Sequence, residues 1–137
     1  MRVLGFNFDK ISIEKLKDRP KDLKISTNID VADIKELKTD LLKTKEELVN
    51  VRFAYTVKYE PGYAVLNLKG TITLSLDEKL SKDVLKEWKK KQMPEGFRTV
   101  LFNIIMRKAA VRSLQLEDEM NLPLHLPLPT IRTEKEK

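Results

Sequence analysis

Two strictly alternating segments, VRFAYTVKY (51–59) and YAVLNLKGTITLSL (63–76), stand either side of Glu60-Pro61-Gly62, and no other feature of the chain restricts its fold as tightly. Period-two alternation is the pattern of a strand with one buried face, and Pro-Gly suits the centre of a tight turn. Together they predict a long β-hairpin. With Pro61-Gly62 at the turn, Tyr59 pairs with Ala64, Val57 with Leu66, Tyr55 with Leu68, Phe53 with Gly70 and Val51 with Ile72. Both apolar rows then share one face, while Arg52, Thr56, Lys58, Lys69, Thr71 and Thr73 share the other. Sliding one strand by a single residue destroys that agreement. A sheet with one dry and one wetter face is antiparallel in habit.

Two further strands are expected ahead of the hairpin. One spans 2–13 with Phe6, Phe8, Ile11 and Ile13, the other 23–31 with Ile25, Ile29 and Val31. Residues 33–48 carry leucines at 37, 41 and 48, which suits either a helix or a strand continuing across a bend. After the hairpin the period changes. Leu80, Val84, Leu85 and Trp88 recur at helical spacing, with Asp77 or Ser81 as N-cap, predicting a short helix over 78–92. A long helix over 95–119 follows Pro94, with Glu95 suited to its first turn. The expected fold class is therefore α+β: an antiparallel hairpin, two further strands, a short helix and a long one.

The long helix is apolar over an unusual width, with only a narrow polar stripe through Thr99, Asn103 and Arg107. A helix on one sheet needs one apolar side, so the excess points to a second copy of the chain, with Leu101, Ile104, Ile105 and Ala109 as the oligomer interface. At 137 residues, one core suffices. The chain has no cysteine, which excludes disulfides and thiol or cysteine-metal chemistry and fits a reducing compartment. The N-terminus MRVLGFNFDKIS has acidic and polar residues where a signal peptide would be apolar, and no run reaches the roughly twenty apolar residues of a membrane span. A cytoplasmic protein is expected, without membrane insertion.

Catalytic and metal chemistry find little support. His125 is the only histidine, and its apolar surroundings offer no carboxylate by sequence, so it reads as structural. Glu117, Asp118 and Glu119 are adjacent on a helix and diverge, reading as a helix end in solvent. The four glycines form no phosphate loop. No enzyme activity, catalytic residue, metal or cofactor is assigned. The 27 basic residues exceed the 21 acidic ones, giving a net charge of +6, which permits nucleic-acid binding. The densest basic cluster, Lys86, Lys89, Lys90 and Lys91, reads as a solvated helix side. Phe53, Tyr55 and Tyr59 fall on the strand face opposite Arg52 and Lys58, so they read as core and not as a stacking platform.

One stretch stays unexplained by these elements: Asn121 to Pro129, NLPLHLPLP. Its prolines remove backbone donors and exclude a helix interior or central strand, leaving an extended apolar segment that something must cover.

The order of elements resembles the SecB family of export chaperones. The family's first strand carries a K-D-I-S-F-E run, matched here by Asp9-Lys10-Ile11-Ser12-Ile13-Glu14 with the first two residues transposed. Its long helix follows a proline and precedes an F-P-x-L-x-L-x-P segment, whose place is taken by Leu122-Pro123-Leu124-His125-Leu126-Pro127-Leu128. The resemblance implies a four-stranded antiparallel sheet packed by the short and the long helix, a dimer of dimers whose long helices meet between sheets, and hydrophobic grooves that hold non-native polypeptide, walled partly by the segment after the long helix. On that basis Leu122, Leu124, Leu126, Leu128, Tyr59 and Tyr63 are expected to contact polypeptide. The family continues with a second amphipathic helix, where this chain has Thr130-Ile131-Arg132 and a charged tail. Its familiar members are acidic, and contact with a translocation motor is not carried over to this basic chain. The expectation is one SecB-like domain over 1–131, a disordered tail over 132–137, unfolded clients and a homodimer or dimer of dimers as partners. The alternative is a non-enzymatic interaction or nucleic-acid-binding module using the basic surface.

Overall fold

The computed structural model of the chain describes residues 1–38 and 46–133. Four strands, β1 (Arg2–Lys15), β2 (Lys24–Leu37), β3 (Glu47–Glu60) and β4 (Ala64–Leu76), precede two helices, α1 (Glu78–Trp88) and α2 (Glu95–Glu119). The strands form one antiparallel sheet in the order β1-β4-β3-β2, so β1 and β2 are its two open edges.

The central hairpin has the register that its alternation requires: Tyr59 opposite Ala64, Val57 opposite Leu66, Tyr55 opposite Leu68, Phe53 opposite Gly70 and Val51 opposite Ile72. The turn closes through Tyr63 N–H donating to the Tyr59 carbonyl at 2.9 Å, with Gly62 at φ +55°, a conformation glycine adopts without strain. Every inward residue of this hairpin from Val49 to Leu76 is buried beneath the helices. Gly70 is needed for a different reason. A Cβ there would meet the Asn7 carbonyl and lie 2.6 Å from Phe53 Cζ, whose ring stacks among Phe6 and Phe8.

The segment 33–48, where helix and strand were both open, is strand at each described end: Leu37 in β2 pairs with Leu48 in β3. Its middle, 39–45 with Leu41, lies outside the described residues, as do residues 134–137 of the tail. β1, β2 and β3 all extend beyond their expected ends, because antiparallel partners go on satisfying the backbone after the apolar alternation fades. α1 is shorter than expected, ending at Trp88 instead of 92. Lys91 has φ +58°, and the Gln92 N–H returns to the Glu87 carbonyl, so the chain has already left the helix. At its start Asp77 caps the helix by accepting from Leu80 N–H at 2.7 Å.

α2 lies across the dry face of the sheet. Phe97, Leu101, Ile105, Ala109, Ser113, Leu116 and Glu117 are buried along one side. On the other side Val100, Met106 and Val111 are 44%, 45% and 55% exposed, so the monomer uses only part of the helix's apolar width.

Candidate functional site

The end of α2 explains the leucine-proline stretch. Asn121 sits at φ +55°, Leu122 N–H donates to the Glu117 carbonyl at 2.9 Å, and Asn121 N–H donates to the Asp118 carbonyl at 3.2 Å. These paired bonds form a Schellman closure, which turns the chain sharply and drops Leu122 into the core beside Leu116. The chain then passes back over the last helical turn.

That reversal brings His125 onto Glu117. The ring Nδ1 lies 2.8 Å from Glu117 Oε1, and the His125 backbone N–H donates to the same oxygen at 3.1 Å. A carboxylate oxygen only accepts, so Nδ1 carries the hydrogen, and Nε2 shares a hydrogen bond with the Tyr55 hydroxyl, 2.7 Å away. Tyr59 donates to Glu117 Oε2 at 2.6 Å, with the Pro123 carbonyl 2.8 Å from the same hydroxyl. Both partners of the His125–Glu117 contact have side chains with no solvent exposure. Burial, then the negative charge of Glu117, pushes the Tyr55 hydroxyl up to about 12. Burial likewise raises Tyr59, helped by its hydrogen bond to Glu117.

A Tyr–His–Glu relay of this kind could activate a nucleophile if substrate reached it. Here Tyr55 is 1% exposed and Glu117 is fully covered, so the relay ties the segment to the sheet. Two expectations change as a result. Glu117 does not end the helix in solvent, although Asp118 and Glu119 do, and His125 has a carboxylate partner after all. The signal was Asn121 at the position after the helix, which supplies the left-handed residue that makes an eight-residue return possible.

The residues expected to contact polypeptide are thereby separated. Tyr59, Tyr63 and Leu122 are core, Leu124 is half-buried, and Leu126 and Leu128 are exposed at 40% and 55%. Leu101, Ile105 and Ala109, expected at an oligomer interface, have no exposed surface in the monomer, because they pack on the sheet; Ile104 alone of that set lies half-buried on the helix flank. Phe53, Tyr55 and Tyr59 are buried while Arg52 and Lys58 face outward, which leaves the basic residues of that strand without aromatic neighbours for base stacking.

A groove of about 430 Å³ runs beside the open edge of β2. Ile29 to Ala32 form one bank, and Trp88, Met93 and Phe102 form the apolar wall, with Lys91 Nζ 4.7 Å over the Trp88 ring and Arg98 4.8 Å over that of Phe102. The Trp88 indole N–H reaches Asp33 Oδ1 at 3.3 Å, fixing the end of α1 against a bulge that interrupts β2 between Val31 and Asp33. Among the described residues no cluster of metal-binding side chains occurs, and no helix is long and apolar enough to cross a membrane.

No protein-family model matches the sequence, and no curated protein matches it. Among solved structures, the chain is similar to a SecB-like chaperone of Mycobacterium tuberculosis, determined in complex with a peptide from an antitoxin, with a TM-score of 0.49 and 11% identity over 96% of this chain and 91% of that one.

Proposed function

We propose that the protein holds extended, non-native polypeptide in a chaperone-like manner, with the β2-edge groove as the principal contact and Leu126 and Leu128 as a second apolar surface. The observation that carries this reading is the unpaired β2 edge running alongside the Trp88, Met93 and Phe102 wall. An open edge offers backbone donors and acceptors to any extended chain, whatever its sequence, while an apolar wall takes alternate side chains. That combination selects for unfoldedness and tolerates many clients.

The test is suppression of aggregation of a chemically unfolded protein. Wild-type protein is expected to suppress it near stoichiometric ratio, and Phe102→Asp, at a half-buried wall position, to lose most of that effect while circular dichroism shows the chain still folded at the assay temperature. Single-stranded nucleic acid bound with steep salt dependence, and no suppression of aggregation, would instead establish the nucleic-acid reading.

A further inference from the structure

The β2-edge groove is bordered by more positive charge than its helices need. From Lys86 to Arg98 the sequence carries five cations, Lys86, Lys89, Lys90, Lys91 and Arg98, against two acids, Glu87 and Glu95. A helix favours cations at its C-terminal end, and Lys86 to Lys91 run off the end of α1. Arg98 is different. It closes the first turn of α2, the end where the helix dipole disfavours positive charge, so helix stability does not account for it. Lys91 and Arg98 lie over the two aromatic rings of the wall, Trp88 and Phe102, and among the described residues neither is ion-paired. Asp30, on the β2 bank, alternates with the inward-packed Ile29 and Val31 and so turns to the other side of the sheet.

Resting on the reading that this groove holds extended polypeptide, we infer that it selects acidic segments, whose apolar residues take the Trp88 and Phe102 wall and whose flanking carboxylates pair with Lys91 and Arg98. In a strand laid along β2, residues two apart share a side, so a carboxylate two positions from an apolar residue faces the wall with it. In the empty groove the stacked cations cover the rings. An acidic segment draws them onto its carboxylates and frees the rings for its apolar side chains, whereas a basic segment brings like charge against them. Ring faces alone would admit any unfolded chain; the cations choose among them. Single-stranded nucleic acid would meet the same charges, but it makes no use of the open strand edge beside them.

The experiment titrates the whole chain with three short labelled peptides. All carry a pair of apolar residues at alternate positions, and they differ only in the residues two positions outside that pair: glutamate, lysine or glutamine. The glutamate peptide is expected to bind most tightly and the lysine peptide least, with the difference shrinking as salt rises. Lys91→Glu with Arg98→Glu, both exposed positions, should weaken the glutamate peptide about tenfold or more and strengthen the lysine peptide, a reversal that misfolding does not produce. Lys58→Glu with Lys69→Glu makes the same change in net charge on the outer face of the sheet and should keep the wild-type order of the three peptides. Binding of the glutamine peptide without preference between glutamate and lysine would overturn the inference and leave the holding of polypeptide standing, whereas failure of all three peptides to bind would remove both. An order reversed equally by the Lys58 and Lys69 changes would also overturn it, since net charge alone would then explain the preference. So would oligothymidylate that binds more tightly than the glutamate peptide and is lost in the Lys91 and Arg98 variant, or a particle mass that falls in that variant.

Discussion

The leucine-proline stretch divides into two regions that its sequence makes look alike. From Leu122 to His125 the segment is locked down: Leu122 is 5% exposed and the His125 side chain is fully covered. From Leu126 onward it is loose on the surface, with Leu128 at 55% and Ile131 fully exposed. Leucine content does not separate the halves, and neither does proline spacing. Polar anchoring does. The inner half has a helix closure at Asn121 and a buried carboxylate to receive His125, whereas among the described residues no side-chain hydrogen bond holds the chain beyond His125. An apolar extended segment is fixed by the few groups that can satisfy its backbone, and its leucines follow.

This contrast can be broken most severely at Glu117. Glu117→Ala removes the acceptor for the His125 backbone and its ring and one of the two acceptors of the Tyr59 hydroxyl, stranding two buried donors of His125. A loss of about 3–5 kcal/mol is expected in urea unfolding, with new proteolytic cleavage after residue 121. Next comes Leu122→Ala, which empties a core position and should cost about 2–4 kcal/mol, measured in the same way.

Tyr55→Phe tests a single contact. It leaves His125 Nε2 without its hydroxyl partner and should cost about 1–2 kcal/mol. The wild-type protein should also show this contact in its alkaline limb. Tyr55 is raised from an ordinary value of 10.0 to about 12, so the unfolded chain releases its phenolic proton first. The stabilisation is whole below about pH 10 and is lost as pH rises toward about 12, with Tyr59, raised for the same reason, acting in the same direction. Denaturant midpoints measured across that window should fall in the wild type and fall less in Tyr55→Phe.

The smallest stability effect belongs to the outer half. Leu126→Ser with Leu128→Ser should change stability by less than about 0.5 kcal/mol per site. The same pair should weaken the holding of unfolded protein, read by light scattering of an aggregating client. A large drop in melting temperature would mean that the outer half is anchored too, and would erase the contrast.

How far each part could be read from sequence follows the same physics. The hairpin register was legible to the residue, because one period, one turn and two faces had to agree at the nine successive pairs from Val51–Ile72 to Tyr59–Ala64. The strand ends were not, since pairing at Leu37 and Leu48 is decided by a neighbour distant in sequence. The broad apolar surface of α2 was visible, but which stripe faced the sheet was not. Leu101, Ile105 and Ala109 went to the core, leaving Ile104, Met106 and Val111 on flanks that sequence alone could not tell apart. The Glu117–His125 tie was hardest of all, because a run of three acids reads as solvated until the chain is seen to reverse over it.

The tie also has a consequence for the order in which the molecule is assembled. Tyr55 and His125 are seventy positions apart, so the sheet, α2 and the reversal at Asn121 must all be in place before their bond can form. During synthesis the hairpin, complete long before, carries the Tyr55 and Tyr59 hydroxyls ahead of the partners they bond. The Tyr55 hydroxyl gains its partner only once the segment to His125 has been made, so a chain cut short of His125 carries a core tyrosine whose hydroxyl has nothing to bond.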